Sequence, residues 1–249
     1  STDTHLGTPG AVDESTFQGH GGAGKSFRSS IPEGLPDDIE FNPGGLAVAW
    51  AEENSRSAIF DAFKRKEVYG TSGPRFIVRF FVGDNLDKNL CNSPDNISYA
   101  YANATPMGGT IASDSLSQPT IFISASADSA IKDQFIENLQ VVKGVVRNGE
   151  LLTTVHDVGV TNAQSKLDIS NCEVTGSGEK AMCSVWNDPN FNSSENAYYY
   201  VRVVANKSCR WSHNLCLQNP EYCEADSDSS IPKVIQERAW TSPVWLETS

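Results

Sequence analysis

The chain has few cationic residues and no long apolar run. Its 249 residues include 19 Lys and Arg against 31 Asp and Glu, which gives a formal net charge of −12. Nucleic acids and anionic membrane surfaces bind basic protein surface, so this balance argues against both partners. No apolar stretch is long enough for a transmembrane helix, so we expect no membrane insertion. A small anionic or ester substrate stays compatible with the charge, because bound metal ions would reverse its local sign.

Two signatures of common sites are also missing, namely the G-x-S-x-G elbow of serine hydrolases and the C-x-x-C pair of zinc sites. The cysteines are even in number: Cys91, Cys172, Cys183, Cys209, Cys216 and Cys223. We interpret them as disulfides formed in an oxidising compartment, and we therefore expect a periplasmic or secreted protein. Cys172 and Cys183 flank a turn-like T-G-S-G and would suit a hairpin disulfide, although spacing does not fix the connectivity.

The sequence Asp-Thr-His at residues 3–5 is a candidate metal motif. In an extended segment alternate side chains point the same way, so Asp3 and His5 present a carboxylate and an imidazole on one face. These groups suit Zn, Mn or Fe. Two ligands do not complete a site, and a chance pairing is the alternative. We expect the remaining ligands on a part of the protein upstream of Ser1.

Residues 19–26 read GHGGAGKS and match the phosphate-loop pattern letter for letter. That loop needs a buried strand before it and a helix after it. The preceding D-E-S-T-F-Q is too polar for such a strand, and Pro32, Gly34 and Pro36 prevent a long helix. We therefore reject nucleotide binding. The glycines favour close folding of the backbone round a site, which makes His20 a candidate catalytic residue; a solvated loop histidine is the alternative.

The pattern of apolar residues predicts an α+β protein with two domains. Residues 46–50 and 76–82 are typical of strands, and residues 55–66 of a helix, an order that suits the closing units of an α/β barrel. After residue 86 the pattern is all-β, with strands expected at residues 120–126, 139–146, 151–158, 181–186 and 197–204. We therefore predict a barrel part at residues 1–86 and a β-sandwich-like domain with disulfide-held loops at residues 87–249.

Three polar residues lie near the ends of these barrel elements. Glu52 and Glu53 follow the first strand, at the end that carries the chemistry in α/β barrels, and are candidate catalytic residues. A helix dipole that favours carboxylates is the alternative explanation. Arg75 precedes the second strand and is a candidate substrate-binding residue, with an interdomain salt bridge as the alternative.

Aromatic residues are concentrated near the C-terminus and include Tyr198, Tyr199, Tyr200, Trp211, Trp240 and Trp245. They suit either a sugar-binding platform or packing within the sandwich.

Several longer segments together resemble a known family. They are DTHLGTPG (residues 3–10), GHGG (19–22), NPGGLAVAWAEENSRSAIFDAFKRKEVYGTSGPRF (42–76), PMGG (106–109), LQVVKG (139–144), WNDPNF (186–191), AYYYVRVV (197–204), CRWS (209–212) and QERAWTSPVW (236–245). This series resembles the C-terminal half of a bacterial family catalogued as a domain of unknown function and allied to the PHP (polymerase and histidinol phosphatase) metal-dependent hydrolases.

The resemblance implies that Asp3 and His5 form the last metal motif of such an enzyme. An H-x-H pair and further acidic and His ligands would lie upstream, so the complete site would hold two or three divalent ions and this chain alone would be inactive. We therefore expect the C-terminal part of an extracytoplasmic hydrolase of phosphoesters or related esters. The alternative is a non-catalytic β-sandwich module that recognises a glycan or a protein partner.

Overall fold

The computed structural model describes residues 10–17, 41–162, 165–218, 220 and 230–248. The strands are β1 (Leu46–Ala49), β2 (Val68–Thr71), β3 (Ile77–Asp84), β4 (Ala104–Pro106), β5 (Thr110–Ala112), β6 (Pro119–Ser126), β7 (Ile136–Arg147), β8 (Glu150–Val160), β9 (Lys166–Asp168), β10 (Glu173–Thr175), β11 (Ala181–Asn187), β12 (Ala197–Cys209), β13 (Val234–Thr241) and β14 (Val244–Glu247). The α-helices are α1 (Arg56–Arg65), α2 (Asn96–Asn103) and α3 (Trp211–Gln218).

The strands form two main sheets that pack face to face. In the larger sheet, β12 pairs with β7 along one edge and with β14 and β13 along the other. β8 then extends the sheet beyond β7, β2 and β1 extend it beyond β13, and β5 extends it beyond β14. The smaller sheet has the order β11-β6-β3-β4, while β9 and β10 form a separate pair. The result is a β-sandwich with helices added at its surface.

Alternation along the strands accounts for the core between the sheets. On β12, Tyr199, Val201 and Val203 are buried, and the residues between them are half-buried. Val78 and Phe80 of β3 meet them from the smaller sheet. The opposite face of that sheet is also covered, because α2 and the turn before it pack on residues such as Phe81. This accounts for the nearly continuous apolar sequence of β3.

The structure supports the predicted mixed α+β class and the sandwich, but it does not show the predicted barrel. The predicted helix at residues 55–66 is observed as α1; the Ser55 hydroxyl accepts from the Ala58 backbone N–H, and Lys66 ends the helix at φ 58°. β1 and β2 on either side of α1 form an antiparallel pair, whereas an α/β barrel needs parallel strands. In addition, β2 pairs with β13 and β3 with β6, so strands from both sides of residue 86 share the same sheets.

The cysteines form disulfides, but not the hairpin disulfide that the sequence favoured. Cys183 on β11 bonds to Cys91, which lies in a short 3-10 turn before α2. Cys172 bonds to Cys209 at the end of β12. The predicted pairing of Cys172 with Cys183 is therefore wrong, because the folding of distant strands decides which thiols meet.

Cys216 on α3 is also disulfide-bonded. Such bonds are typical of an oxidising, extracytoplasmic environment. No helix long and apolar enough to cross a membrane occurs in the part of the chain that the structure describes.

A buried ion pair connects the two sheets. Lys143 of β7 faces the core, and its Nζ lies 2.5 Å from Oδ2 of Asp188, which follows β11. The same oxygen accepts a hydrogen bond of 2.6 Å from the Tyr199 hydroxyl. Burial alone would raise the pKa of Asp188, but hydrogen bonds from Lys143, Tyr199 and the backbone of Asn190 lower it overall. The carboxylate therefore stays charged inside the sandwich and needs its cation.

We expect Lys143→Met to destabilise the protein by about 3–5 kcal/mol, because the charge of Asp188 would remain buried without its partner. Urea unfolding monitored by circular dichroism measures the loss. Arg147→Met is the matched control, because Arg147 makes a surface ion pair with Glu195 at 2.7 Å and its loss should reduce the stability far less than the loss of Lys143. Equal losses in the two variants would contradict the structural role of Lys143.

Candidate functional site

The segment of residues 10–17 crosses the sandwich at the end of β2. Val12 of this segment is buried, with 2% of its surface exposed. The Gly10 carbonyl accepts a hydrogen bond of 3.2 Å from Nη2 of Arg75. Gly73 lies beneath the crossing, where a Cβ would be only 2.7 Å from the Val12 carbonyl oxygen. The glycine of the sequence T-S-G-P-R is therefore needed for this close backbone approach.

Glu14 fixes the segment to the start of α3. One of its carboxylate oxygens accepts a hydrogen bond of 2.6 Å from the Trp211 backbone N–H. The ring of Phe17 packs edge-on against the ring of Trp211, with the centroids 5.1 Å apart. Burial raises the pKa of Glu14 from 4.5 to about 7, and the charge of Glu237 adds to this effect. The hydrogen bond from Trp211 opposes the rise without cancelling it.

Glu237 is the second carboxyl in this region, and it is buried, whereas Glu14 is half-buried. It lies on β13 and accepts a hydrogen bond from the Ser72 hydroxyl. Burial raises the pKa of Glu237 from 4.5 to about 7; the hydrogen bond from Ser72 opposes this rise, and the charge of Asp13 adds to it. Both glutamates therefore change protonation state near neutrality, which is the range that general acid–base catalysis uses.

These glutamates line a cleft with a volume of about 270 Å³. We name this the acidic cleft and define it by five of its lining residues: Asp13, Glu14, Arg75, Asp128 and Glu237. The backbone N–H of Arg75 donates to Oδ2 of Asp128 at 2.8 Å. The side chain of Arg75 is exposed. A neighbouring cleft of about 740 Å³ is also lined by Glu14 and Glu237. The two carboxyls thus lie between two solvent-accessible openings.

Two of the other predicted site residues, Glu52 and Glu53, do not line the acidic cleft. Glu52 and Glu53 are both exposed beyond β1. Glu52 lines a different cleft, of about 700 Å³, at the Glu67 end of β2, whereas Arg75 follows the opposite end of that strand. The structure therefore separates Glu52 and Glu53 from Arg75. Asp3, His5 and His20 lie outside the described residues.

The cleft beside Glu52 is dominated by an aromatic and arginine cluster. The guanidinium of Arg79 lies over the Trp50 ring, 3.2 Å from its centroid. Arg79 also donates to the Tyr101 hydroxyl at 2.5 Å, and that hydroxyl donates to Glu67. Burial and the hydrogen bond to Glu67 raise the pKa of Tyr101 to about 12. These groups satisfy one another and fix α2 against β3, so we assign the cluster a structural role.

The described residues do not fit a metal ion. Among them, one group of three possible ligands lies within 4.8 Å of one another, namely Cys172, Cys209 and His213. The two sulfurs of this group are bonded to each other, so neither offers the thiolate that a metal needs. Nε2 of His213 lies 2.8 Å from the Ile169 carbonyl oxygen. This group is a structural contact beside a disulfide.

Arg75, a predicted substrate-binding residue, lines the acidic cleft, whereas neither Glu14 nor Glu237 was predicted. The sequence pattern could have indicated Glu237, because Glu237, Ala239 and Thr241 occupy alternate positions on the buried face of β13. A carboxyl at a core-facing position of a strand is unusual and points to a functional role. Glu14 had no such signal, because it lies outside any helix or strand.

We expect Glu237→Gln to stabilise the protein at neutral and alkaline pH. The folded state holds a proton with a pKa of about 7 that the unfolded chain, with an ordinary pKa of 4.5, has already released. The stability that the protonated carboxyl provides is therefore complete below about pH 4.5 and is lost as the pH rises through about 7. The amide keeps an acceptor for Ser72 and does not ionise.

Thermal unfolding should give equal stabilities near about pH 4 and a variant more stable by about 3 kcal/mol near about pH 8. Glu247→Gln, at an exposed glutamate of β14, should match the unmodified protein at both values. A constant difference across the pH range would contradict the buried titration.

Comparison with known proteins relates the chain to one family. Curated proteins and solved structures gave no match to the chain. The family described as "Protein of unknown function (DUF3604)" matches residues 1–248, which is nearly the entire chain. The sandwich and its acidic cleft therefore lie wholly within the matched region, and the chain belongs to the DUF3604 family.

Proposed function

We propose that this chain is the C-terminal part of an extracytoplasmic, PHP-like metal-dependent hydrolase that acts on a phosphoester or related ester. In this proposal Asp3 and His5 bind a divalent Zn, Mn or Fe ion together with ligands from the N-terminal part of the same protein. The sequence resemblance to PHP-like enzymes supports the reaction type. The acidic cleft supports a role for the present chain beyond metal binding.

The observation that carries the proposal is a pair of carboxyls, the half-buried Glu14 and the buried Glu237, whose pKa values lie near 7 in a cleft that also holds Arg75. Carboxyls tuned to neutrality beside an arginine are typical of catalytic sites. The cleft is also close to the metal motif along the chain. Five residue steps separate His5 from Gly10, whose carbonyl accepts the hydrogen bond from Arg75.

The side chains of the cleft can perform two tasks in ester hydrolysis. The exposed guanidinium of Arg75 can bind the anionic group of a substrate through two parallel hydrogen bonds. Glu237 or Glu14, protonated near pH 7, can give its proton to the leaving oxygen and then take one from the attacking water. A bound divalent ion would supply a water of lowered pKa and neutralise charge on the ester oxygen.

The full-length protein, including the part upstream of Ser1, is the material for the test. We expect it to contain tightly bound divalent metal and to hydrolyse p-nitrophenyl phosphate or bis-p-nitrophenyl phosphate. Asp3→Asn combined with His5→Gln should lower the metal content. Glu237→Gln should reduce kcat by about 100-fold. Arg75→Gln should raise KM by about ten-fold.

Glu52→Gln and Glu173→Gln are the controls. Glu173 is exposed on β10, so its substitution should leave hydrolysis unchanged. A loss of activity in Glu52→Gln with full activity in Glu237→Gln would move the site to the cleft beside Trp50. Full-length protein without bound metal and without turnover would contradict the hydrolase proposal altogether.

A further inference from the structure

The outer face of the larger sheet carries a group of aromatic side chains. Tyr199 of β12 is buried in the core, so the flanking Tyr198 and Tyr200 lie on the opposite face of the sheet. Trp245 of β14 is directly opposite Tyr198, and Trp240 of β13 is directly opposite Arg202 of β12. We name this the aromatic surface and define it by four residues: Tyr198, Tyr200, Trp240 and Trp245.

The rings of the aromatic surface are ordered and accessible. The planes of Tyr198 and Tyr200 are nearly parallel, at 17°, with centroids 6.4 Å apart. Trp245 meets Tyr198 at 61°, with centroids 5.4 Å apart. Trp240 and Trp245 are 38% and 39% exposed. A Cβ on Gly144 would lie 2.2 Å from Tyr198 Cζ, so this glycine lets the tyrosine ring extend across β7.

A hydrogen-bonded polar network borders the aromatic surface. Arg202 follows Tyr200 on the same face, and its Nε donates to Gln140 at 2.6 Å. Gln140 in turn donates to Asp157 at 2.8 Å. Asp157 has a lowered pKa because Gln140 and Asn138 donate to it. Arg202 and Asp157 carry opposite charges and are linked through Gln140, so this network has no net charge, although the chain has a formal charge of −12.

We propose that the aromatic surface binds a neutral oligosaccharide. The C–H faces of sugar rings pack against aromatic rings, and Tyr and Trp supply such area at exposed sites. Neighbouring tyrosines along β12 offer successive rings to successive sugar units. The hydroxyls of a sugar can hydrogen-bond to the bordering Arg202, Gln140 and Asp157 in place of water.

The charge balance favours a neutral sugar over an anionic polymer. An anionic chain would gain little from Arg202, whose charge Asp157 already balances, and the acidic protein as a whole would repel it. A protein partner or a second copy of this chain would bury Arg202 and Asp157 together with the rings. The removal of water from these charges costs free energy that a folded partner would have to recover with well-placed polar groups.

This inference is independent of the proposed hydrolase function. The aromatic surface shares no residue with the acidic cleft, and its test measures binding instead of turnover. Sugar binding without hydrolysis would support the aromatic surface as a sugar site and contradict the hydrolase proposal. Hydrolysis without sugar binding would do the reverse.

Affinity electrophoresis of the full-length protein in gels that contain β-glucan, xylan, mannan or dextran provides the first test. We expect at least one of these neutral polysaccharides to retard migration. Titration with oligosaccharides of the retarding type, monitored by tryptophan fluorescence, then gives the Kd. Trp245→Ala and Tyr200→Leu should each weaken binding by about ten-fold or more. Because leucine keeps apolar packing at position 200, Tyr200→Leu tests the surface even if Trp245→Ala does not fold.

Tyr99→Ala is the matched control, because Tyr99 is a similarly exposed tyrosine on α2, which covers the other sheet. It should bind as the unmodified protein does, and circular dichroism should show all three variants folded. Migration unaffected by all four polysaccharides would overturn the proposal. So would retained affinity in both surface variants, or a dimer in sedimentation that Trp245→Ala dissociates, since the surface would then join two copies of the chain.

Discussion

The pairing of β12 along both of its edges is the constraint on which the rest of the structure depends. Ladders to β7 on one side and to β14 and β13 on the other fix the register of the larger sheet. That register decides which side of β12 faces the core. Tyr199 reaches Asp188 inside the sandwich, Tyr200 lies outside, and Glu237 of β13 lies under the segment that carries Glu14. A shift of one residue in the pairing of β12 would exchange its two faces, and both the acidic cleft and the aromatic surface would be lost.

Burial acts differently on the acidic residues of the sandwich according to their partners. Asp188 has an ammonium group and a phenol as donors, and its pKa is lowered. Glu14 and Glu237 receive a backbone N–H and a serine hydroxyl, which do not outweigh burial, and their pKa values rise to about 7. The first arrangement holds the sheets together, while the second keeps two groups ready to exchange protons. Donor strength thus separates a carboxyl that stays charged from one whose pKa lies near neutrality.

Local patterns predicted the elements whose signal is strong, and they failed where tertiary contacts decide. The alternation of β7 and β12 and the capped amphipathic pattern of α1 were enough to locate these elements. β13 was not predicted, because glutamine, glutamate and arginine at its centre hide the strand, and α3 was not predicted either. The strand–helix–strand order at residues 46–82 suggested a barrel, because sequence order does not distinguish parallel from antiparallel pairing. Arg75 could be proposed as a site residue from its position beside a buried strand, whereas the environment of Glu14 depends on a contact with Trp211 of α3, far along the chain.

The bond between Cys91 and Cys183 has a consequence for how the protein can be made. It closes a loop with a sequence separation of 92 residues, and restricting the unfolded chain over that length contributes about 4–5 kcal/mol in the chain-entropy view. Domains of this kind have a net stability of only about 5–15 kcal/mol. A chain synthesised in a reducing cytoplasm would therefore lack much of the margin that keeps it folded. Secretion into an oxidising compartment, or production in a host with an oxidising cytoplasm, becomes part of the folding pathway and precedes any useful assay.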